Sequence, residues 1–109
     1  MSPREFLGEL EEMVMLAALR LGDAAYGAAI LREMDEQAGR DVPRGSVYVT
    51  LDRLEAKSMV ESHEGDATSG RGGRPRRMIR VTPDGIEALR RSHEARRLLR
   101  DGLDEVFQP

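Results

Sequence analysis

The spacing of apolar residues changes twice along this chain, and these changes constrain the fold more than any other feature. Up to Lys57 the apolar residues recur at three- and four-residue steps, which is typical of helices. In 59–64 and again in 76–81 they alternate at two-residue steps, which is typical of strands. Helical spacing returns after Thr82. The sequence therefore predicts a mainly α-helical fold with a small β-hairpin placed before the last helix.

Three short helices are predicted before the hairpin. The first begins at Ser2 and Pro3, a cap followed by a proline suited to the first helical position, and it ends at Gly22. The second spans 26–38, and the third begins near Arg44. The apolar residues expected to face the core are Phe6, Leu10, Met13, Ile30, Leu31, Met34, Val47, Leu51 and Leu54.

A long final helix is predicted from the cap at Thr82 and Pro83 to about Phe107. Its outer half carries an apolar stripe that the small preceding body has little room to bury, and we call this stripe the distal stripe: Leu98, Leu99, Leu103, Val106 and Phe107. A second copy of the chain is expected to cover it, as a homodimer. Residues 1–82 and 83–109 are thus predicted as a winged helix-turn-helix and a C-terminal dimerisation helix within one structural unit.

The order of elements is that of a winged helix-turn-helix, in which the second helix of the motif presents its first residues to the major groove of DNA. Here that is the third helix of the chain, and its predicted DNA-binding residues are Arg44, Gly45, Ser46, Tyr48, Val49 and Arg53. Two alternatives remain open at this point. Tyr48 can instead be a packing residue, and Arg53 can be a surface ion-pair partner of Asp52 or Glu55.

Positive charge is concentrated in the hairpin, which we call the wing. The whole chain has a net charge of -3, but residues 67–82 contain no acidic side chain and five arginines: Arg71, Arg74, Arg76, Arg77 and Arg80. Local potential, rather than the overall charge, governs attraction to phosphate. Arg71 and Arg74 at the tip are predicted to contact phosphate or the minor groove, together with Arg76 and Arg77. The alternative for the strand arginines is a solvated face of the hairpin.

Several function classes are not expected. The absence of cysteine excludes disulfides and thiolate chemistry, and His63 and His93 lack companions at metal-ligand spacing. No catalytic constellation can be assembled, so neither an enzyme nor a cofactor is expected. The Gly-rich tip of the wing does not match the spacing of a nucleotide-binding loop. With no apolar run of about 20 residues and no signal peptide pattern, a cytoplasmic location without membrane contact is expected.

Four segments together carry a family resemblance: Leu7-Gly8-Glu9-Leu10-Glu11; Ala25-Tyr26-Gly27 with Ile30 and Leu31; Gly45-Ser46-Val47-Tyr48 with Leu51-Asp52-Arg53-Leu54-Glu55; and Arg80-Val81-Thr82-Pro83-Asp84-Gly85. In this order and at these spacings, the chain resembles the PadR family of transcriptional regulators. The resemblance extends from about Phe6 to Leu89. It implies a winged-helix fold, a homodimer and sequence-specific binding of double-stranded DNA that represses a promoter, often relieved by a small molecule.

The chain departs from similar proteins at two places. Pro43 stands where a hydroxyl residue commonly caps the third helix, which predicts that proline geometry fixes the start of that helix. The chain ends near Pro109, as in the short subclass whose last helix alone makes the dimer. Phe107, Met13 and Met15 are the candidates for a small-molecule platform. The rival hypothesis is a winged-helix module that binds protein and no DNA, although such a module has no need for five clustered arginines.

Overall fold

The computed structural model describes residues 6–67 and 75–109, and the side chains of residues 66 and 67 are not part of that description. Its elements, in chain order, are α1 (Glu9–Leu21), α2 (Gly27–Ala38), α3 (Arg44–Ala56), β1 (Val60–Ala67), β2 (Pro75–Val81) and α4 (Pro83–Arg100). Short 3-10 turns at Gly22–Ala24 and Asp104–Phe107 follow α1 and α4. The predicted mainly helical fold with a small hairpin is confirmed.

The first helix begins later than the sequence predicted. Phe6, Leu7 and Gly8 lie outside the helix, and Gly8 is the N-cap. The Gly8 amide donates to Oε1 of Glu11 at 2.8 Å, which satisfies one of the unpaired donors at the start of α1. The predicted start at Pro3 lies outside the described residues. The expectation that Phe6 belongs to the core is wrong, because its neighbour Leu7 is buried instead and Phe6 is exposed.

One core joins the helices to the hairpin. The largest fully buried side chains come from the first three helices and the first strand: Met15, Ile30, Leu51, Leu54, Val14, Val47 and Val60. Ile79 and Val81 of β2 and Ala88 of α4 complete the same cluster. In the described part of the chain, none of the helices combines the length and the apolar character needed to cross a membrane.

The antiparallel pair β1 and β2 forms the base of the wing and is attached to the helical body by backbone bonds. Val60 is opposite Val81, and Ser62 is opposite Ile79. On the other edge of β2, the Ile79 amide donates to the carbonyl of Ala25 at 2.9 Å, and Tyr26 forms a bridge with Met78. The chain just before α2 therefore holds the wing at a fixed place beside the helix-turn-helix.

The last helix begins as predicted and ends earlier. The Thr82 side chain accepts a hydrogen bond from the Gly85 amide at 3.0 Å, which confirms the predicted cap. The helix ends at Arg100, because Asp101 leaves the helical conformation and Gly102 has a φ of 84°. The prediction of one helix reaching Phe107 is thus wrong. Leu103, Val106 and Phe107 of the distal stripe lie beyond the helix, where the Arg100 guanidinium covers the Phe107 ring at 4.7 Å.

Candidate nucleic-acid interface

One face of α3 is buried in the core, and the opposite face is exposed and available to a ligand. Val47, Thr50, Leu51 and Leu54 are buried on the inner side. On the outer side, Val49 keeps 54% of its surface exposed, although it is a large apolar residue. The six predicted DNA-binding residues of this helix are exposed or, for Ser46, half-buried: Arg44, Gly45, Ser46, Tyr48, Val49 and Arg53.

Proline geometry sets the start of α3, as the sequence predicted. Pro43 is the N-cap, with φ -58° and ψ 141°, and it offers no side chain to cap the helix. Its carbonyl accepts from the Ser46 amide at 2.9 Å, and the Ser46 carbonyl accepts from the Thr50 hydroxyl at 2.7 Å. The Ser46 hydroxyl takes no part in these bonds. The start of the helix therefore presents Arg44 and this hydroxyl on a firmly held backbone.

Tyr48 is packed through its ring, as one of the two alternatives left open by the sequence has it, and it is also partly exposed. A Cβ added at Gly27 would lie 2.5 Å from Cε1 and 2.8 Å from the hydroxyl oxygen of Tyr48, so only a glycine at the start of α2 admits this ring. At the same time 37% of the Tyr48 surface is exposed. The hydroxyl is thus held in place between the two helices of the motif.

The base of the wing adds positive charge beside the start of α3. The Arg76 guanidinium lies over the Tyr26 ring, 4.3 Å from its centroid, which is a cation–π contact. A groove next to this stack is lined by residues of both helices of the motif and of β2: Tyr26, Gly27, Ala28, Arg44, Tyr48, Pro75, Arg76 and Arg77. The structure thus brings together side chains from three separate predicted segments, and Tyr26 serves as the platform for an arginine.

Arg77 makes a different set of contacts from Arg76 and Arg80, the other two described arginines of the wing. Its Nη1 lies 3.1 Å from Oδ1 of Asp52, and its Nη2 donates to Oε1 of Glu55 at 2.9 Å. Its Nε donates to the Ser62 hydroxyl at 2.9 Å. Asp52 and Glu55 of α3 therefore both form ion pairs with Arg77. Arg53, for which the sequence allowed this role, lies exposed on the same helix.

These contacts change the titration of the groups involved. Hydrogen bonds from Ser62 and Arg77 hold the pKa of Glu55 below its usual value, despite some desolvation. Burial works against the charge of Arg77, but the hydrogen bonds and charges of Glu55 and Asp52 outweigh it and raise the pKa of Arg77. Both groups are charged at neutral pH. On the opposite strand face, Arg80 pairs with Glu61 of the neighbouring strand.

The predicted tip residues Arg71 and Arg74 lie outside the described residues. The distal stripe is described, and all five of its members are exposed: Leu98, Leu99, Leu103, Val106 and Phe107. Three further exposed apolar residues lie on α1 and α4, namely Leu16, Leu19 and Ile86, and of these Leu16 and Leu19 were not singled out from the sequence. They flank a groove between α1 and α4, and their helical spacing was the available signal. Met15, a candidate for a ligand platform, is fully buried in the core.

The sequence matches the model of the transcriptional regulator PadR-like family over residues 15–91, which is most of the chain. The chain belongs to this family. Its members are transcriptional regulators and not enzymes, and they act by binding DNA. No sequence among the curated proteins matches the chain.

Solved structures of similar shape support the winged-helix fold. A transcriptional regulator from Clostridium thermocellum has a TM-score of 0.72 at 20% identity, with 91% of this chain and 90% of that chain covered. A PadR family regulator from Clostridium difficile has a TM-score of 0.70 at 20% identity, covering 93% and 100%. A PadR family regulator from Eggerthella lenta has a TM-score of 0.68 at 26% identity, covering 92% and 87%.

Proposed function

We propose that this PadR-like regulator is a cytoplasmic repressor that binds an operator as a homodimer, using α3 to read bases and the wing to hold the phosphate backbone. The observation that carries the proposal is the groove shared by Arg44, Tyr48 and Arg76, with Arg76 stacked on Tyr26. It brings a helix start, a phenol and two guanidinium groups to one surface. Guanidinium groups suit both guanine edges and phosphate oxygens.

Within this surface, α3 is proposed to read the bases and the wing to contact the DNA backbone. Arg44 and Ser46 lie in the first turn of a regular helix, so their side chains can present a fixed donor pattern to base edges. Val49 on the outer face suits the methyl group of thymine. The wing arginines Arg71 and Arg74 belong to a Gly-rich segment and supply phosphate or minor-groove contacts.

Homodimerisation is proposed through the distal stripe. Leu99 keeps 79% of its surface exposed and Val106 keeps 71%, values that favour a partner surface over water. Residues 83–109 then act as the dimerisation segment, and residues 1–82 as the DNA-binding part. A two-fold symmetric dimer presents two copies of α3 to two half-sites of one operator.

Relief by a small molecule is proposed at the groove between α1 and α4. This groove, of about 440 Å³, is lined by the apolar side chains of Leu16, Leu19, Ile86 and Leu89 and by the polar side chains of Glu12, Arg90, His93 and Arg96. Glu12 is buried and pairs with Arg96 through Oε1, while its Oε2 is buried without a hydrogen-bond partner among the described residues. A ligand that combines an apolar body with an N–H donor fits this chemistry.

The test is binding of the full chain to a duplex recovered by selection from a random pool, compared with a random duplex, by fluorescence anisotropy at several salt concentrations. Arg44→Ala is expected to cost about 1–3 kcal/mol on the selected duplex and much less on the random one. Arg71→Ala with Arg74→Ala is expected to weaken both and to lower the salt slope by up to about 2. Failure of selection to enrich any sequence would favour the protein-binding module instead.

A further inference from the structure

We propose that Arg77 is a positioning residue that holds the wing against α3 and thereby sets operator specificity, rather than a residue that contacts DNA. This inference rests on the proposed function. It concerns the hairpin face that points toward the helical body, where Arg77 continues a buried row of β2 residues. Its guanidinium there meets the carboxylates of Asp52 and Glu55.

The strand pairing places Arg77 on the inner face of the wing. Side chains alternate between faces along a strand, so Arg77 shares a face with Ile79 and Val81, both of which are buried in the core. Ser62 is opposite Ile79 and lies on the same face. Arg77 thus stands at the point where the buried row of the hairpin reaches the surface beside α3.

All three guanidinium nitrogens of Arg77 donate to, or pair with, oxygens of the protein. Nε binds Ser62 of β1, while Nη1 and Nη2 bind the two carboxylates of α3. The Ser62 hydroxyl in turn donates to the same Glu55 oxygen that Nη2 binds. The Arg77 side chain therefore connects both strands of the wing to α3. Its planar guanidinium group makes these contacts in three different directions.

This junction matters because an isolated two-stranded hairpin is marginally stable and needs packing to be held in place. The spacing between the wing and α3 decides whether phosphate contacts and base contacts are in register at the same time. Loss of the contact between the wing and α3 is therefore expected to lower sequence specificity more than it lowers the non-specific, charge-driven binding of DNA.

Arg80 provides a matched control on the same strand. Its guanidinium pairs with Glu61 of β1, so this ion pair stays within the hairpin, and its side chain is 71% exposed. Arg77→Ala and Arg80→Ala remove the same charge from the same strand. We expect Arg77→Ala to lower the ratio of selected-duplex to random-duplex affinity roughly tenfold, a loss within the usual range of coupling between contacting residues. Arg80→Ala is expected to leave the ratio within about twofold, the scatter of an exposed pair.

The salt dependence of binding separates positioning from phosphate contact. The two variants are expected to have equal slopes on the random duplex, because neither loses a phosphate contact. If Arg77 bound a phosphate, Arg77→Ala would lower the slope by about 0.9 relative to Arg80→Ala, with an unchanged affinity ratio, and the inference would be overturned. Arg77→Lys keeps the positive charge but replaces the planar guanidinium by an ammonium group. Its ratio of selected-duplex to random-duplex affinity is therefore expected to fall as in Arg77→Ala.

Glu55→Gln gives a test that leaves Arg77 itself in place. Positioning predicts a lower affinity ratio in Glu55→Gln and no additional loss when it is combined with Arg77→Ala. Direct phosphate binding instead predicts a higher affinity of Glu55→Gln for both duplexes with an unchanged ratio, because release from Glu55 would free the guanidinium for the DNA backbone. Unfolding midpoints of all variants identify any that fail to fold. A wild-type chain that binds no selected duplex contradicts the proposed function. A wild-type ratio of selected-duplex to random-duplex affinity in both Arg77→Ala and Glu55→Gln contradicts this inference alone.

Discussion

The ring of Tyr48 lies against the backbone of Gly27, so close that a Cβ at this position would be 2.5 Å from the ring. The two residues belong to separate helices of the helix-turn-helix motif, and each lies in one of the segments that carry the family resemblance. Gly27 is at the first position of α2, where the missing side chain makes room for the aromatic ring of α3. Both residues line the groove that Arg44 and Arg76 share.

Gly27→Ala is expected to destabilise the protein by about 1–3 kcal/mol, because the added methyl group must push the ring or the helix aside. Denaturant unfolding measures this loss. In the double variant Gly27→Ala with Tyr48→Ala the clash is absent, so the effects should be clearly non-additive. Simple addition of the two single effects would show that the ring is not held by Gly27.

Gly45→Ala is expected to separate stability from DNA binding. Gly45 lies within α3, and nothing is within 4 Å of the position that a Cβ would occupy. Alanine therefore stabilises the helix by up to about 1 kcal/mol. The same methyl group stands where the backbone is proposed to approach DNA, so affinity for the selected duplex is expected to fall. Unfolding curves and anisotropy titrations of one preparation provide both numbers. An increase in both the stability and the affinity for the selected duplex would indicate that DNA does not bind at the start of α3.

Leu99→Glu is expected to convert the proposed homodimer to a folded monomer. The Leu99 side chain is largely exposed in the single chain, so a charge costs little there but a great deal in a subunit interface. Sedimentation velocity measures the change. The matched control is Val49→Glu, which alters an exposed apolar residue of α3 and is expected to leave the dimer intact while weakening DNA binding. A Leu99→Glu protein that still sediments as a dimer would exclude the distal stripe as the interface.

The ion pair of Glu11 and Lys57 is expected to make stability depend on acid pH. Burial raises the pKa of Glu11, but hydrogen bonds from the Gly8 amide and Lys57, with the charges of Lys57 and Arg53, lower it below the usual 4.5. Because the folded-state pKa is depressed, the stabilisation is present above the unfolded-state value and is lost as pH falls through the folded-state value.

Urea unfolding at neutral pH and near pH 3 tests this dependence. Glu11→Gln should be clearly less stable than the wild type at neutral pH, and the gap should narrow in acid as the wild-type carboxylate is protonated. The two Glu11 oxygens lie 2.8 Å from the Gly8 amide and 2.9 Å from Lys57 Nζ, so the amide of glutamine can replace only one of these contacts. A gap of constant size across pH would contradict the predicted ionic contribution.

Local chemistry made much of the fold predictable. Gly39 adopts the left-handed conformation that ends α2, Pro43 directly precedes α3 with a φ fixed by its ring, and Thr82 caps α4 with its side chain. Each of these signals depends on one residue and its immediate neighbours. The buried row of α3 follows in the same way from helical spacing, which left Arg44 and its neighbours on the outer face. Residues that point outward from a regular element can be identified without knowing what packs on the other side.

The sequence by itself thus determined the order of elements, their type and the outward face of α3, since these follow from local caps and periodicity. Only the tertiary structure decided which long-range partners the arginines take: Arg76 stacks on Tyr26, and Arg77 pairs with Asp52 and Glu55. It also decided that α4 ends at Arg100. The three strand arginines Arg76, Arg77 and Arg80 look equivalent in a linear charge count, but the alternation of strand faces places Arg77 on the opposite face from the other two.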